Sequence, residues 1–121
     1  MHAPINLQCL RITGSRPGPH LLITGGVHGD EFESMPCIRQ LAQFILPEKL
    51  QGNLTLIPVV NEAAFLNGDR VAEDGLDLAR VCPGESNGSV TQRTAAALTE
   101  QIQQADYYID LHSGGIPMEV W

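Results

Sequence analysis

The amino-acid sequence predicts an α/β domain with a largely parallel sheet. Segments with strand character alternate along the chain with segments of helical periodicity, in the order strand, strand, helix, strand, long loop, helix, strand. This alternation is typical of domains in which helices cover a mostly parallel sheet. The length of 121 residues corresponds to one domain or to part of one.

Two strands are predicted in the first quarter of the chain. Residues 7–13 alternate between apolar and polar positions, and the glycines and prolines of residues 14–19 indicate a turn after them. Residues 21–24 are apolar at consecutive positions, which is typical of a strand buried on both faces. The pair Gly25-Gly26 ends this second strand.

A helix follows, because apolar residues recur at helical spacing. These residues are Phe32, Met35, Ile38, Leu41 and Ile45. Pro36 is tolerated only near the first turn of a helix. The regular helix is therefore expected to begin with Ser34 as its N-cap, after a short turn that carries Glu31.

The second half of the chain predicts a strand, a long loop, a helix and a last strand. Residues 54–60 form the third strand, in which Pro58 requires an edge or the end of the strand. Residues 61–88 show little periodicity and predict a long irregular segment. Ser89 and Gln92 have the spacing of a capping box, so a helix is expected from there to about residue 104, and residues 107–111 form the fourth strand.

Composition narrows the classes of function. The net charge is −7 and the few basic residues are scattered, which argues against nucleic-acid binding. No apolar run is long enough to span a membrane, and the first 20 residues do not resemble a signal peptide, so a cytoplasmic protein is expected. The three cysteines, Cys9, Cys37 and Cys82, are expected to be reduced and buried thiols. The oligomeric state is left open.

His28, Glu31 and His112 are candidate metal ligands. His28 and Glu31 follow the second predicted strand, and His112 ends the fourth. Since ligands bind at the carboxyl ends of parallel strands, we expect the three side chains to meet at one edge of the sheet. Two imidazoles and one carboxylate leave one tetrahedral position open, which is the ligand set of catalytic zinc. The alternative is a surface or capping role for each residue.

Other polar residues allow more than one interpretation. His20, at the start of a strand, is expected to be structural or solvent-facing, and His2 to be a frayed terminal residue. Asp110 can hold the His112 ring from outside the ligand set or can be solvated. Arg70 and Arg80, in the long loop, can pair with a neighbouring aspartate or bind a substrate carboxylate or oxyanion. The glycine-rich segments lack the spacing of a nucleotide site.

Four motifs together resemble the succinylglutamate desuccinylase/aspartoacylase family of the zinc carboxypeptidase superfamily. They are GGVHGDE at 25–31, PVVNEAAF at 58–65 leading to Arg70, DGLDLARVCPG at 74–84, and DLHSGG at 110–115. The resemblance implies a three-layer α/β fold with a largely parallel or mixed sheet. It implies one zinc ion on His28, Glu31 and His112. It also implies a catalytic, oxyanion-binding role for Arg70 and substrate binding by Arg80 and Asn61.

The resemblance also implies hydrolysis of an amide bond in a small N-acyl amino acid or a related substrate that bears a carboxylate. The alternatives are a metallocarboxypeptidase acting on peptides and a catalytically inactive metal-binding or interaction domain. Two departures from the family pattern stand out. Ala79 replaces the asparagine that usually precedes the second arginine, and the family's catalytic glutamate is expected beyond Trp121. Residues 1–121 therefore resemble a single, partial catalytic domain whose sheet is incomplete on the C-terminal side.

Overall fold

The computed structural model describes residues 3–115, which form a four-stranded sheet with helices on both faces. The strands are β1 (Leu10–Thr13), β2 (Arg16–Thr24), β3 (Gln51–Ile57) and β4 (Tyr107–Asp110). The helices are α1 (Ser34–Phe44), α2 (Glu62–Asn67), α3 (Leu78–Val81) and α4 (Val90–Gln103), with a 3₁₀ turn at Pro47–Lys49. None of the helices in the described residues is long and apolar enough to cross a membrane.

The sheet is mixed and has the strand order β1-β3-β2-β4. β2 pairs in parallel with both β3 and β4, whereas β1 pairs antiparallel with β3. Thr24 is in register with Ile57 on one side and with Asp110 on the other. The three parallel strands therefore end at the same edge, as the order of elements predicted.

Two apolar clusters, one on each face of the sheet, make up the core. Leu22 packs in a cluster with residues of α3 and α4, and the next residue, Ile23, packs in a cluster with Ile38 of α1. Burying one such side chain contributes about 1.5–3 kcal/mol. The prediction of a three-layer α/β fold is confirmed, and the end of the predicted strand 21–24 is buried at residues 22–24.

The boundaries of the first strands differ from the prediction. β1 is shorter than residues 7–13, and β2 begins at Arg16 and runs through residues that were expected to form a turn. Its pairing with β3 shifts register between Arg16 and His20. Proline is compatible with extended backbone but donates no ladder hydrogen bond. The segment with Pro17 and Pro19 is therefore extended but irregularly paired.

The predicted N-cap of α1 is wrong by one residue. Glu33 occupies the N-cap position with helical backbone angles and no side-chain cap, and Ser34 is the first helical residue. The Ser34 hydroxyl donates instead to the Glu31 carbonyl at 3.3 Å, a local bond that competes with capping. Pro36 lies in the first turn, as expected.

Residues 61–88 are less irregular than predicted, because they contain α2 and α3. Asn61 caps α2 by accepting from the Ala64 amide at 3.2 Å, and the helix ends at Gly68, whose φ is 67°. Asp77 caps α3 by accepting from the Ala79 amide at 3.0 Å. Helices of this length show too little periodicity to be recognised from the sequence.

The capping box at α4 is not formed, although Ser89 does occupy the N-cap position. The Ser89 hydroxyl donates to Asp74 Oδ2 at 2.6 Å, and the same oxygen accepts from the Thr91 amide at 2.9 Å. The Thr91 hydroxyl donates to Asp74 Oδ1 at 2.6 Å. A distant carboxylate therefore caps α4, because a charged acceptor binds an amide more strongly than a serine hydroxyl does.

The cysteine prediction is half correct. Cys9, Cys37 and Cys82 are free thiols, as expected, but Cys37 and Cys82 are exposed. Cys37 lies on the outer side of α1 and does not contribute to the apolar core.

Candidate metal centre

His28, Glu31 and His112 lie together at the carboxyl edge of the sheet. His28 and Glu31 belong to the loop between β2 and α1 and are 5% and 3% exposed. His112 follows β4, and 41% of its side chain is exposed. One ligand atom from each residue lies within 4.8 Å of the other two, which makes the cluster a candidate metal site.

The Glu31 carboxylate lies between the two imidazoles. Its Oε2 contacts His28 Nδ1, and its Oε1 lies 3.2 Å from His112 Nδ1. The ring centroids of His28 and His112 are 5.3 Å apart. Both rings therefore turn the same nitrogen, Nδ1, toward the carboxylate at the centre of the cluster.

Glycines allow the loop after β2 to bring His28 and Glu31 to this position. Gly26 has a φ of 64°, a left-handed conformation that residues with a Cβ rarely adopt. A Cβ on Gly29 would lie 2.3 Å from the carbonyl carbon of Ala64, so only glycine fits against α2 there. The Gly29 amide donates to the Arg70 carbonyl at 3.2 Å, which joins the loop to the segment that carries both arginines.

Each imidazole is held on its outer side by an aspartate. His28 Nε2 lies 2.9 Å from Asp77 Oδ1, and His112 Nε2 lies 2.6 Å from Asp110 Oδ2. Both nitrogens of each ring face a carboxylate, which can only accept, so a neutral ring donates on one side only. When Nε2 donates to the outer aspartate, the lone pair of Nδ1 points toward the centre of the cluster and can bind a metal ion. Carboxylates hold metal-binding histidines in this way. The donor set and its outer contacts therefore fit a metal ion.

The position of Asp110 agrees with one of the two interpretations of the sequence, whereas the contact of Asp77 with His28 was not predicted. Asp77 stood out in the sequence only as a neighbour of Arg80. The separation of 49 residues between His28 and Asp77 gives no local signal. The only available signal was that Asp77 belongs to the third of the four motifs that carry the family resemblance, DGLDLARVCPG.

Arg70 reaches the cluster, and Arg80 lies at its border. Arg70 Nη1 is 3.6 Å from Glu31 Oε2, and its Nη2 is 3.5 Å from Asp77 Oδ2. Arg80 Nε is 3.7 Å from the same Asp77 oxygen, and 84% of its side chain is exposed. Both arginines thus pair with Asp77, which was the alternative interpretation, and the exposed guanidinium of Arg80 remains accessible to a ligand.

The surroundings of Asp77 favour its charged form. Burial by itself raises the pKa of the carboxyl, but hydrogen bonds from His28 and the Ala79 amide and the charges of His28 and Arg70 lower the pKa below its ordinary value of 3.8. Asp77 is therefore a carboxylate at neutral pH. Its negative charge stabilises the hydrogen on His28 Nε2.

Ser113 and Glu33 are two further residues at the site that sequence reasoning missed. The Ser113 amide donates to Glu31 Oε1 at 2.6 Å, and its hydroxyl donates to Glu33 Oε2 at 2.5 Å. The hydrogen bond from Ser113 lowers the pKa of the exposed Glu33 carboxyl. Ser113 thereby joins the segment after β4 to the loop after β2.

Asn61, the other residue predicted to bind substrate, lies beneath the loop after β2 and is buried. This residue is 1% exposed, and both polar atoms of its amide are engaged. Oδ1 caps α2, and Nδ2 donates to the Val27 carbonyl at 3.5 Å. Asn61 thus supports the loop that carries His28, and substrate binding by Asn61 stays a prediction.

The other two histidines lie apart from the cluster. His20 is structural, as expected, because its Nε2 lies 2.7 Å from Thr55 Oγ1 and its Nδ1 lies 2.9 Å from the Gln104 carbonyl. The prediction for His2 falls outside the described residues.

The described residues thus form a mixed α/β sheet that brings two histidines and a glutamate to one edge as a candidate metal site. The family model for the succinylglutamate desuccinylase/aspartoacylase catalytic domain matches residues 17–121, and the chain belongs to this family. The resemblance inferred from the four motifs is confirmed.

Individual relatives agree with this assignment. The chain is 37% identical over 105 residues to the N-alpha-acetyl-L-2,4-diaminobutyric acid deacetylase of Halomonas elongata. The aligned region covers 85% of this chain and 31% of the relative. It is similar to a succinylglutamate desuccinylase/aspartoacylase structure from Rhodobacter sphaeroides, with a TM-score of 0.84, 34% identity, and coverage of 92% of this chain and 34% of the other.

A third relative is the product-bound ectoine utilization protein EutE (DoeB) from Ruegeria pomeroyi. Its TM-score is 0.80, with 34% identity over 88% of this chain and 33% of the other. The chain spans about a third of the length of each of these relatives.

Proposed function

We propose that this chain contributes the metal centre of a zinc-dependent deacylase, which hydrolyses the amide bond of a small N-acyl amino acid or a related carboxylate-bearing compound. The observation that carries the proposal is the convergence of His28, Glu31 and His112 within 4.8 Å. The deacetylase name of the Halomonas relative supports the deacylase type. We also propose that residues 1–121 belong to one catalytic domain, since both apolar clusters pack on one sheet.

The three residues would hold one zinc ion through the Nδ1 atoms of His28 and His112 and the carboxylate of Glu31. In such a site zinc polarises a carbonyl group and lowers the pKa of water, the two contributions that amide hydrolysis needs. Asp77 and Asp110 keep the hydrogen of each ring on Nε2, so that Nδ1 remains a donor to the metal.

Arg70 is the proposed catalytic residue of the described part of the chain. Its guanidinium lies 3.6 Å from Glu31 Oε2, which places a permanent positive charge beside the metal ligand. Hydrogen-bond donors that face a developing oxyanion lower the barrier of acyl transfer by about 3–4 kcal/mol in known cases. Arg70 would bind the carbonyl oxygen as it becomes negative.

Arg80 is proposed to bind the carboxylate of the substrate. Its side chain is largely exposed and lies 3.7 Å from Asp77, which itself contacts His28. A planar guanidinium can bind a carboxylate with two parallel hydrogen bonds. An acyl amino acid held this way would have its amide near the metal and its carboxylate at the border of the site.

The general base is proposed to come from outside residues 3–115. Two carboxylates beside the cluster, Asp77 and Asp110, are engaged by the histidines, and Glu31 is a proposed ligand. Glu33 is bound by the Ser113 hydroxyl. A base must be able to take a proton from water, and these four groups already have other partners.

Metal analysis of the purified chain tests the proposal. We expect about one equivalent of zinc per chain, as for a single three-ligand site. His28→Ala and His112→Ala should each remove most of it, whereas His20→Ala should retain it, because His20 is bound by Thr55 and Gln104. Full zinc content in the variant with both His28→Ala and His112→Ala would disprove the metal site.

Assays on two substrate classes test the reaction. A deacylase should release acetate or succinate from N-acyl amino acids faster than it releases a C-terminal residue from peptides. The reverse preference would favour a metallocarboxypeptidase. Zinc binding without turnover of either class, in a form of the protein that contains the general base, would favour a non-catalytic domain.

A further inference from the structure

A chain of hydrogen bonds runs from the face of the sheet to His112. The Tyr108 hydroxyl lies 2.8 Å from Thr24 Oγ1, and Thr24 Oγ1 lies 2.8 Å from Asp110 Oδ1. The other oxygen of Asp110 lies 2.6 Å from His112 Nε2. Four side chains are thus connected without a gap.

The direction of each hydrogen bond follows from the chemistry of the groups. A carboxylate only accepts, so Thr24 must donate its single hydroxyl hydrogen to Asp110. Tyr108 must then donate to Thr24, because the threonine hydrogen is already used. His112 donates from Nε2 to the same carboxylate. Asp110 is therefore held from two sides, and each donor faces a different oxygen.

Sheet geometry makes this arrangement rigid. Thr24 is in register with Asp110 in the parallel pairing of β2 and β4, and Tyr108 lies two residues before Asp110 on the same face. Thr24 is 0% exposed. Tyr108 is 37% exposed, and its partial burial raises the pKa of the phenol to about 12, to which the charge of Asp110 contributes, so the phenol keeps the hydrogen that it donates.

We propose that Thr24 and Tyr108 are positioning residues that orient the metal-binding His112 through Asp110. This inference rests on the proposed metal site. His112 needs such support more than His28 does, because its side chain is 41% exposed and follows the last described strand. The Thr24 hydroxyl keeps Asp110 in the rotamer that reaches Nε2, and the ring is then fixed with Nδ1 toward Glu31.

The test compares variants that keep or remove the hydroxyl groups. Thr24→Val replaces the hydroxyl by a methyl group of similar size, whereas Thr24→Ser keeps the donor. Tyr108→Phe removes the first donor of the chain, and Tyr107→Phe is its matched control on the same strand, where the side chain is 64% exposed. Unfolding of the metal-free variants by urea shows whether each of them is folded.

Zinc affinity, measured by competition with a chromogenic chelator, is the first readout. Loss of an outer partner of a metal-binding histidine typically costs 10–100-fold in affinity, and Thr24 acts one bond further out. We therefore expect Thr24→Val to weaken binding by about tenfold and Tyr108→Phe by roughly threefold. Thr24→Ser and Tyr107→Phe should bind as the wild type does. Unchanged affinity in a folded Thr24→Val variant would overturn the inference.

The tautomer of the His112 ring in the metal-free chain is the second readout. Nitrogen NMR at alkaline pH should show the Nε2–H form in the wild type and a mixture of both forms in Thr24→Val. This measurement does not need zinc, so it separates the two proposals. A wild-type chain without zinc affinity would refute the proposed function, and the tautomer would still decide the role of Thr24. An identical tautomer in both proteins would refute that role.

Discussion

His28 Nε2 lies 2.9 Å from Asp77 Oδ1, although the two residues are 49 positions apart in the sequence. The same aspartate caps α3 and pairs with Arg70 and Arg80. One carboxylate therefore connects a proposed metal ligand with both arginines of the site. A substitution of Asp77 should therefore affect more contacts of the site than a substitution of any one of its partners.

Removal of the Asp77 carboxylate should weaken zinc binding. We expect Asp77→Ala to lower the affinity for zinc by about 10–100-fold, because the His28 ring loses the partner that fixes its tautomer. Asp77→Asn keeps an oxygen that can cap α3, so its affinity for zinc should decrease less than that of Asp77→Ala. Competition titration with a chelator measures both. Glu73→Ala, an exposed change in the same segment, is the control, and a loss of equal size there would point to a general effect of charge.

Arg80→Lys should weaken substrate binding without changing the zinc content. The substitution keeps the charge but loses the planar fork. A hydrogen bond to a charged group contributes about 1.5–3 kcal/mol. The value of kcat/KM should therefore decrease by a factor of between roughly ten and somewhat over a hundred. The assay needs a form of the protein that turns over substrate.

A substrate analogue with an amidated carboxylate is the control for Arg80. Wild type and Arg80→Lys should turn this analogue over at similar rates, because neither can form the charged contact. An equal penalty on both substrates would mean that Arg80 acts on the transition state or supports the loop.

Asp74→Ala should destabilise the fold at neutral pH. The variant loses the cap of α4, and loss of a helix cap costs about 0.5–2 kcal/mol. Burial alone raises the pKa of the Asp74 carboxyl, but hydrogen bonds from Ser89, Thr91 and Leu76 bring the pKa below its ordinary value of 3.8. Urea denaturation at about pH 7 measures the difference from the wild type.

Acid should remove that difference. Because the pKa of Asp74 is lower in the folded chain than in the unfolded chain, its contribution is present above the unfolded value of 3.8 and is lost as the pH falls through the folded value. The free energies of unfolding of wild type and Asp74→Ala should therefore converge in acid. A constant difference down to the lowest pH at which both fold would show that the charge of Asp74 is not what stabilises α4.

Gly29→Ala should disturb the metal site through the backbone. The new Cβ would lie 2.3 Å from the carbonyl carbon of Ala64, so the loop with His28 and Glu31 must move away from α2. Overpacking of this kind costs about 1–3 kcal/mol. Thermal unfolding and zinc affinity should both decrease. Gly75→Asn is the control, because Gly75 has open space around it and asparagine tolerates a positive φ.

Much of the fold was encoded in local patterns. The consecutive apolar residues around Leu22 and Ile23 predicted a strand that is buried on both faces, and the positions of His28, Glu31 and His112 after strands predicted their convergence. Both inferences use only the period of a strand and the rule that parallel strands end at one edge. These are properties of short segments and of their order, which the sequence contains directly.

Tertiary contacts decided the rest. Asp74, not the local serine, caps α4, Asp77 holds His28, and Asn61 is buried beneath the loop after β2. The sequence allows several hydrogen-bond partners for each of these side chains. Which partner each side chain contacts depends on how the loops fold back across the sheet. A carboxylate binds whichever donors packing brings within about 3 Å, and that distance is set by the whole structure rather than by neighbours in the chain.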